Sequence, residues 1–443
     1  MLERLGLHRR ELRAWAMYDW AASSVQTTIQ VAVFPIYFVQ VAGANIAESQ
    51  TSQYWAYANS FSIAIVALLS PILGAIADYS AVKKRMLGTF LGVGVTAAAL
   101  MFFIERGDIV LAAILFVAVN VAVAGSYVFY ESLLPHIASE TEMDRVSTAG
   151  FALGYLGGGL LLAFNLAWIL NPELFGLGGT PNLPVRLALA SVALWWLAFS
   201  IPLFRSVREP VRLLEPDERT GESPVRAAAR RLSETFHELR GYKQAFLMLL
   251  AFLIYNDGIA TIQRMAAVYG VELGITDTTL IGAILIVQFV GIPFSFLFGW
   301  MAGRTGTKPA IFAGLAVFAV ISVFGFFMQT ATHFFILALM VGTVQGGTQG
   351  LSRSMFANMI PRHKSGEFFG FFSVFSKFAG IFGPLLFAFM SGVFGSGRYG
   401  ILSVIALFIL GGALLALVNP EEGERAARAA DAHTRVAAPS DAA

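Results

Sequence analysis

Twelve long apolar runs decide what this chain can fold into. They cover residues 15–41, 54–77, 86–104, 109–133, 147–170, 186–204, 244–269, 278–302, 309–328, 334–358, 367–394 and 399–418. A helix of about 20 mostly apolar residues crosses a hydrocarbon core of about 30 Å. Backbone groups in lipid must pair within their own segment, so each run is expected to be a helix. A barrel would show short alternating strands instead. The first run is too long for a cleaved signal peptide, and no small-residue cleavage site precedes the second. Hydrophobic residues make up 57% of the chain and charged residues 13%, against about 25% charged in a soluble domain. A large soluble enzyme and a disordered chain are therefore excluded. The formal charge of +2 gives no basis for binding nucleic acid. With no cysteine, disulfides, thiolate metal sites and cysteine nucleophiles are excluded. His8, His136, His237, His333, His363 and His433 fall outside the apolar runs or at their edges, so no metal or intramembrane proton relay is expected from histidine.

Lysine and arginine set the orientation. With the N-terminus inside, 25 of the 30 fall on cytoplasmic segments, Arg353 counted among them. Arg106, Arg186 and Arg398 lie outside, and Arg264 and Lys377 lie within runs. Both termini are thus expected in the cytoplasm. The polar stretch 205–243 divides the chain into six-span halves, 1–204 and 244–418. Within it Ser223-Pro224 reads as a helix start, and Val225, Leu232, Phe236 and Leu239 recur on one face. That pattern suits a helix on the inner membrane surface or a solvated linker helix. The tail 419–443, rich in Ala, Glu and Arg, is expected to be flexible.

The halves repeat each other. GAIADYSAVKKR (74–85) follows span 2 and GWMAGRTGTK (299–308) follows span 8; each puts a glycine on the last helical turn, then a tight loop and basic residues. Span 1 carries YDWAASSVQTT with Asp19 and Gln26, span 7 IYNDGIATIQR with Asp257 and Gln263. Such internal symmetry marks secondary transporters built from repeats. The architecture resembles the major facilitator superfamily, whose glycine–aspartate–basic loop motif is matched by Gly74, Asp78, Lys83, Lys84 and Arg85. The first copy departs from that motif at Tyr79 and Ala81. The second keeps Arg304, Gly306 and Lys308 but has Gly303 where the aspartate would fall. AMYDWAASS (16–24), YNDG (255–258), QGGTQGLSRSMF (345–356), GEFFGFF (366–372) and the glycine-rich GFALGYLGGG (150–159) resemble the vacuolar amino-acid effluxers related to autophagy and their bacterial relatives. The resemblance implies an all-α membrane protein of twelve transmembrane helices in two pseudo-symmetric six-helix bundles, spanning a bacterial cytoplasmic membrane. It implies a monomer among membrane lipids that moves a small solute without a cofactor, with amino acids as leading candidates and protons as a possible coupling ion. It also implies that Gly74, Asp78, Lys84, Arg85 and Arg304 control the switch between states, Lys84 and Arg85 being equally well explained as orientation signals.

Charges in lipid are costly and mark an interior surface or pathway. Asp257 lies deep in span 7, with Thr261 and Arg264 on the same face. The YND-Gly sequence is expected to loosen the helix there. Lys377 lies about 15 Å into span 11. These three groups suit either a structural salt-bridge set or a binding and coupling site. If span 1 leaves the membrane near Val41, Asp19 sits near the cytoplasmic boundary, as a gate, a cap or an interfacial charge, whereas its match to Asp257 places it deeper. Glu131 is expected to meet Lys83, Lys84 or Arg145. Polar stripes fall on span 1 (Asp19, Ser23, Gln26, Thr27, Gln30), span 4 (Asn120, Tyr127, Glu131), span 7 (Asn256, Asp257 and their face-mates) and span 10 (Gln345, Gln349, Ser352). Those four spans line the central cavity in the facilitator fold. The expected substrate cradle is Asp257, Arg264 and Lys377, with Gln345, Gln349, Gln26, Gln30 and Asn256 around it. An embedded hydrolase finds no nucleophile–base spacing, and no phosphate-binding loop supports ATP-driven pumping. The competing readings are a drug or lipid exporter of the same fold and a sensor that does not transport.

Overall fold

The computed structural model describes residues 2–3, 5–46, parts of 54–74, 82–179, 182–210, 241–272, 275, 277–380 and 382–437. Among these residues the chain is entirely helical. Nine helices are each long and apolar enough to cross a membrane: Lys83–Phe103, Ile109–Ile137, Met143–Leu170, Leu183–Ser206, Lys243–Gln263, Gly282–Thr305, Thr307–Phe326, Ala331–Asn358 and Gly397–Leu417. They are spans 3 to 10 and span 12. Span 1 is a bent pair, Arg10–Ala32 and Phe34–Ala42, meeting at 41°. Span 2 is described only in part, as helical turns up to Gly74. Span 11 is broken into Ser365–Phe378 and Phe382–Phe394.

Both interruptions have local causes. Residues Val25–Ala32 wind as a wider π-helix, and the Val33 N–H reaches back to the Thr28 carbonyl at 3.0 Å. Pro35 follows at once; it has no N–H and cannot continue a regular ladder. In span 11 Ala379 turns extended and Gly380 adopts φ +102°, a conformation open to glycine.

Packing repeats between the halves. Span 1 packs on spans 5 and 6, and span 7 on spans 11 and 12; span 3 packs on 4 and 6, and span 9 on 10 and 12. The halves meet through span 5 against 8 and 10, and through span 11 against 4. Span 2 completes the symmetry by touching span 11. The two repeated glycines sit at these crossings. A Cβ on Gly74 would lie 2.1 Å from the Gly366 carbonyl oxygen, and one on Gly299 would lie 2.3 Å from Thr148 Oγ1. Glycine is needed at both because a helix from the other half passes there.

The tail departs from expectation. Pro420–Ala437 is a helix, with proline in its first turn and Glu421 and Glu422 beside its N-terminus. It is docked rather than free. Asp431 accepts from the Arg362 N–H at 3.0 Å and pairs with His363 at 3.1 Å, and Ala427 is buried. Arg428 reaches Glu140 of the other half at 3.0 Å. The linker helix expected from Ser223 lies outside the described residues, as does Asp78.

Candidate functional site

A buried charge cluster joins the halves at the basic end. Asp19 lies nine residues into the span 1 helix, about 14 Å along its axis. It is 5% exposed. Tyr127 donates to Oδ1 at 3.0 Å, and Tyr130 to Oδ2 at 2.8 Å. Both η-nitrogens of Arg353, from span 10, stand 3.4 Å from Oδ2. Arg353 is itself 1% exposed. It donates from Nε to Ser147 Oγ at 2.9 Å and from Nη2 to the Ser147 carbonyl at 2.8 Å. Its guanidinium carbon lies 5.0 Å from the Trp15 ring centre and 4.6 Å from that of Phe151. Glu131 stands 3.8 Å from Arg353. A buried charge needs a partner and further hydrogen bonds, and this pair has both. Gly150 makes room for it, since a Cβ there would fall 2.6 Å from Asp19 Oδ2.

One expectation changes here: Arg353 is no surface cation on a cytoplasmic segment. It also gives Glu131 a partner that was not expected. Tyr130, Ser147 and Arg353 were missed. The signal for Arg353 was present: it follows Gln349 by four residues, inside the tenth apolar run.

Around this cluster the basic end is stitched shut. Asp144 accepts from Ser354 Oγ at 2.5 Å and Thr307 Oγ1 at 2.7 Å, and Ser147 Oγ donates to the Gly350 carbonyl at 2.8 Å. Lys83 is buried; it donates to Ser365 at 2.7 Å and lies 3.0 Å from His136. Ser365 donates to the Ser132 carbonyl at 3.0 Å. Lys83 is thus the loop cation that crosses between halves. Lys84 instead caps the end of span 6, donating to the Phe204 and Val207 carbonyls. Arg85 is exposed, and Arg304 lies exposed over its own helix's Trp300 ring at 4.0 Å.

Farther along the spans the walls are lined with amides. Gln30 Nε2 donates to Asn120 Oδ1 at 2.6 Å, joining spans 1 and 4. Gln349 Nε2 donates to Asn256 Oδ1 at 3.1 Å, joining spans 10 and 7. Each half therefore carries one Gln–Asn pair between its first and fourth helices. Gln345 is half-buried and faces the Tyr155 hydroxyl. Gln26 is exposed although it lies about 24 Å into its helix. An exposed amide at that depth indicates a water-filled space, because hydrocarbon would leave it unpaired.

Asp257 is placed differently. It is 2% exposed. The Gly380 N–H donates to its Oδ1, and the Gly383 N–H to its Oδ2 at 2.7 Å. Its carboxylate thus covers the open N-terminus of Phe382–Phe394, at the break in span 11. Thr261 Oγ1 donates to the Asp257 carbonyl at 2.7 Å, and a Cβ on Gly383 would fall 1.9 Å from that hydroxyl oxygen. The YND-Gly segment does not loosen its own helix: Lys243–Glu272 runs through it unbroken. The side chains of Arg264 and Lys377 lie outside the described residues. Among the described residues no group of three or more histidines and acids is placed to hold a metal.

Residues 38–428 match the family model described as vacuole effluxer Atg22 like. The chain is 35% identical over 420 residues to the uncharacterized MFS-type transporter YxiO of Bacillus subtilis, covering 93% of this chain and 95% of that one. It is 23% identical to autophagy-related protein 22-1 of Phaeosphaeria nodorum, over 86% and 78% of the two chains. The fold matches the human organic anion transporter MFSD10 with a TM-score of 0.72 at 12% identity, covering 92% and 99% of the chains. It matches the proton:xylose symporter XylE with a TM-score of 0.67 at 13% identity, covering 96% and 97%. The chain therefore belongs to the Atg22-like family of the major facilitator superfamily and is a multi-pass membrane transporter, not an enzyme.

Proposed function

We propose that this transporter moves a small polar solute, with amino acids the leading class, by alternating access, and that the Asp19–Arg353 pair holds its cytoplasmic side shut. The carrying observation is that pair: two charges from opposite halves, buried together, with amide-lined walls farther along the same helices. Opening the basic end must pull Arg353 away from Asp19. Separating a buried pair leaves two uncompensated charges, a cost of about 3–5 kcal/mol when one partner is lost. Something must offset it. A proton taken by Asp19 would remove the carboxylate charge, and a solute's own charges or dipoles would supply new partners. In this reading Gln26, Gln30, Asn120, Gln345 and Gln349 contact solute, and Asp257 holds the span 11 break in place.

The test is transport into proteoliposomes, with and without a proton gradient, across amino acids, apolar drugs and fluorescent lipids. Asp19→Asn is expected to keep solute exchange but lose acceleration by the gradient. Arg353→Leu is expected to abolish net transport while folded protein still reaches the bilayer. Undiminished gradient-driven uptake by Asp19→Asn would remove the coupling role. Transport of drugs or lipids with no amino acid moved would overturn the solute class.

A further inference from the structure

Spans 1, 3 and 6 enclose a groove of about 530 Å³ at the basic end, apart from the seam between the halves. Arg9, Arg10, Lys84, Arg205 and Arg208 line it, against a single lining carboxylate, Glu11. Two of these cations are already engaged. Arg9 donates to Glu142 at 2.8 Å and to the Ile137 carbonyl at 2.7 Å, and Lys84 caps span 6. Arg10, Arg205 and Arg208 have no carboxylate partner among the described residues. The start of span 1 adds to the positive potential, since Arg9 offers it no side-chain cap. At span 3 the equivalent position is filled: Glu209 accepts the Lys84 N–H at 3.0 Å. Among the described residues the groove therefore holds more cations than carboxylates.

Its position indicates what fits it. Leu194, Leu197 and Ile201 are exposed on span 6, and Arg205 continues the same face at i+4 from Ile201. That stripe is the lipid-facing side of the helix, and it ends in Arg205 at the membrane boundary. A free anion would have no use for the stripe. A phospholipid would lay its acyl chains along it and bring its phosphate to the groove. We propose that this groove binds the phosphate of an anionic phospholipid of the inner leaflet, contacted by Arg10, Arg205 and Arg208. Each basic side chain near an anionic headgroup contributes about 1 kcal/mol.

The test uses the full-length protein in detergent. Phosphatidylglycerol, phosphatidylcholine and inorganic phosphate are titrated separately, with binding read by native mass spectrometry and melting temperature. Phosphatidylglycerol is expected to bind and raise the melting temperature, while the other two do neither. Arg205→Gln with Arg208→Gln should weaken phosphatidylglycerol about 30-fold, or about 2 kcal/mol at about 1.4 kcal/mol per tenfold. Arg106→Gln with Arg398→Gln, which removes two charges at the far end, should leave affinity unchanged. If the double variant folds poorly, Arg208→Gln alone should cost about fivefold. Equal binding of both lipids, or full affinity in the double variant, would overturn the proposal. Inorganic phosphate that binds and displaces phosphatidylglycerol at matched concentration would assign the groove to the free anion and overturn the lipid.

Discussion

Replacing Gly74 by alanine probes the closed seam at one atom. The new Cβ would sit 2.1 Å from the Gly366 carbonyl oxygen, 2.7 Å from its carbon and 3.1 Å from the Glu367 nitrogen. Ordinary contact begins at 3.4 Å, so spans 2 and 11 must part by about 1.3 Å. All three neighbours are backbone and cannot rotate away. Overpacking of this kind costs about 1–3 kcal/mol. The clash exists only while the two halves touch, so it destabilises the closed state alone and shifts the equilibrium about 5- to 150-fold toward opening. Gly299→Ala is the internal comparison. Its nearest neighbour is the Thr148 hydroxyl at 2.3 Å, and the next atom is at 3.4 Å. That hydroxyl donates to the Asp144 carbonyl at 2.8 Å; it can turn away at the loss of that bond, so the shift should stay below about tenfold. The chain has no cysteine, so Thr141→Cys with Thr305→Cys gives two clean sites for spin labels, both exposed and one on each half. Pulsed distance measurements should show a longer component growing in Gly74→Ala and much less in Gly299→Ala. An unchanged distribution in Gly74→Ala, or a larger shift in Gly299→Ala, would refute the reasoning.

Asp257→Ala removes the acceptor of two buried backbone N–H groups, each bond to a charged group contributing about 1.5–3 kcal/mol. The variant should therefore melt well below the parent, with Asp257→Asn, which keeps one acceptor, falling between them; equal melting of all three would dismiss the role at the break. Gln26→Cys should react readily with a membrane-impermeant thiol reagent added from the side away from the basic end, while Ala97→Cys, buried in span 3, should not. Equal protection of both positions would remove the water-filled space.

Hydropathy is a local property, and lipid forces every apolar run to satisfy its own backbone, so the spans and the all-helical class were legible residue by residue. The repeated glycines at Gly74 and Gly299 were legible for a similar reason: a missing side chain records a close neighbour without naming it. What pairs with what was not. Asp19 and Arg353 are 334 residues apart, and only the rotation and docking of spans 1 and 10 decide that they meet. That the Asp257 carboxylate accepts from the Gly380 and Gly383 N–H groups was not legible either, because no sequence pattern distinguishes a backbone partner. The same limit misplaced the break. Gly258 and Gly380 are both glycines in apolar helices, but a helix opens only where the freed N–H groups find another acceptor. Asp257 supplies that acceptor to span 11 and leaves its own helix intact. The tail likewise looked flexible by composition. It is docked because Asp431 finds Arg362 and His363 of the second half and Arg428 finds Glu140 of the first, a surface that only the docked halves assemble.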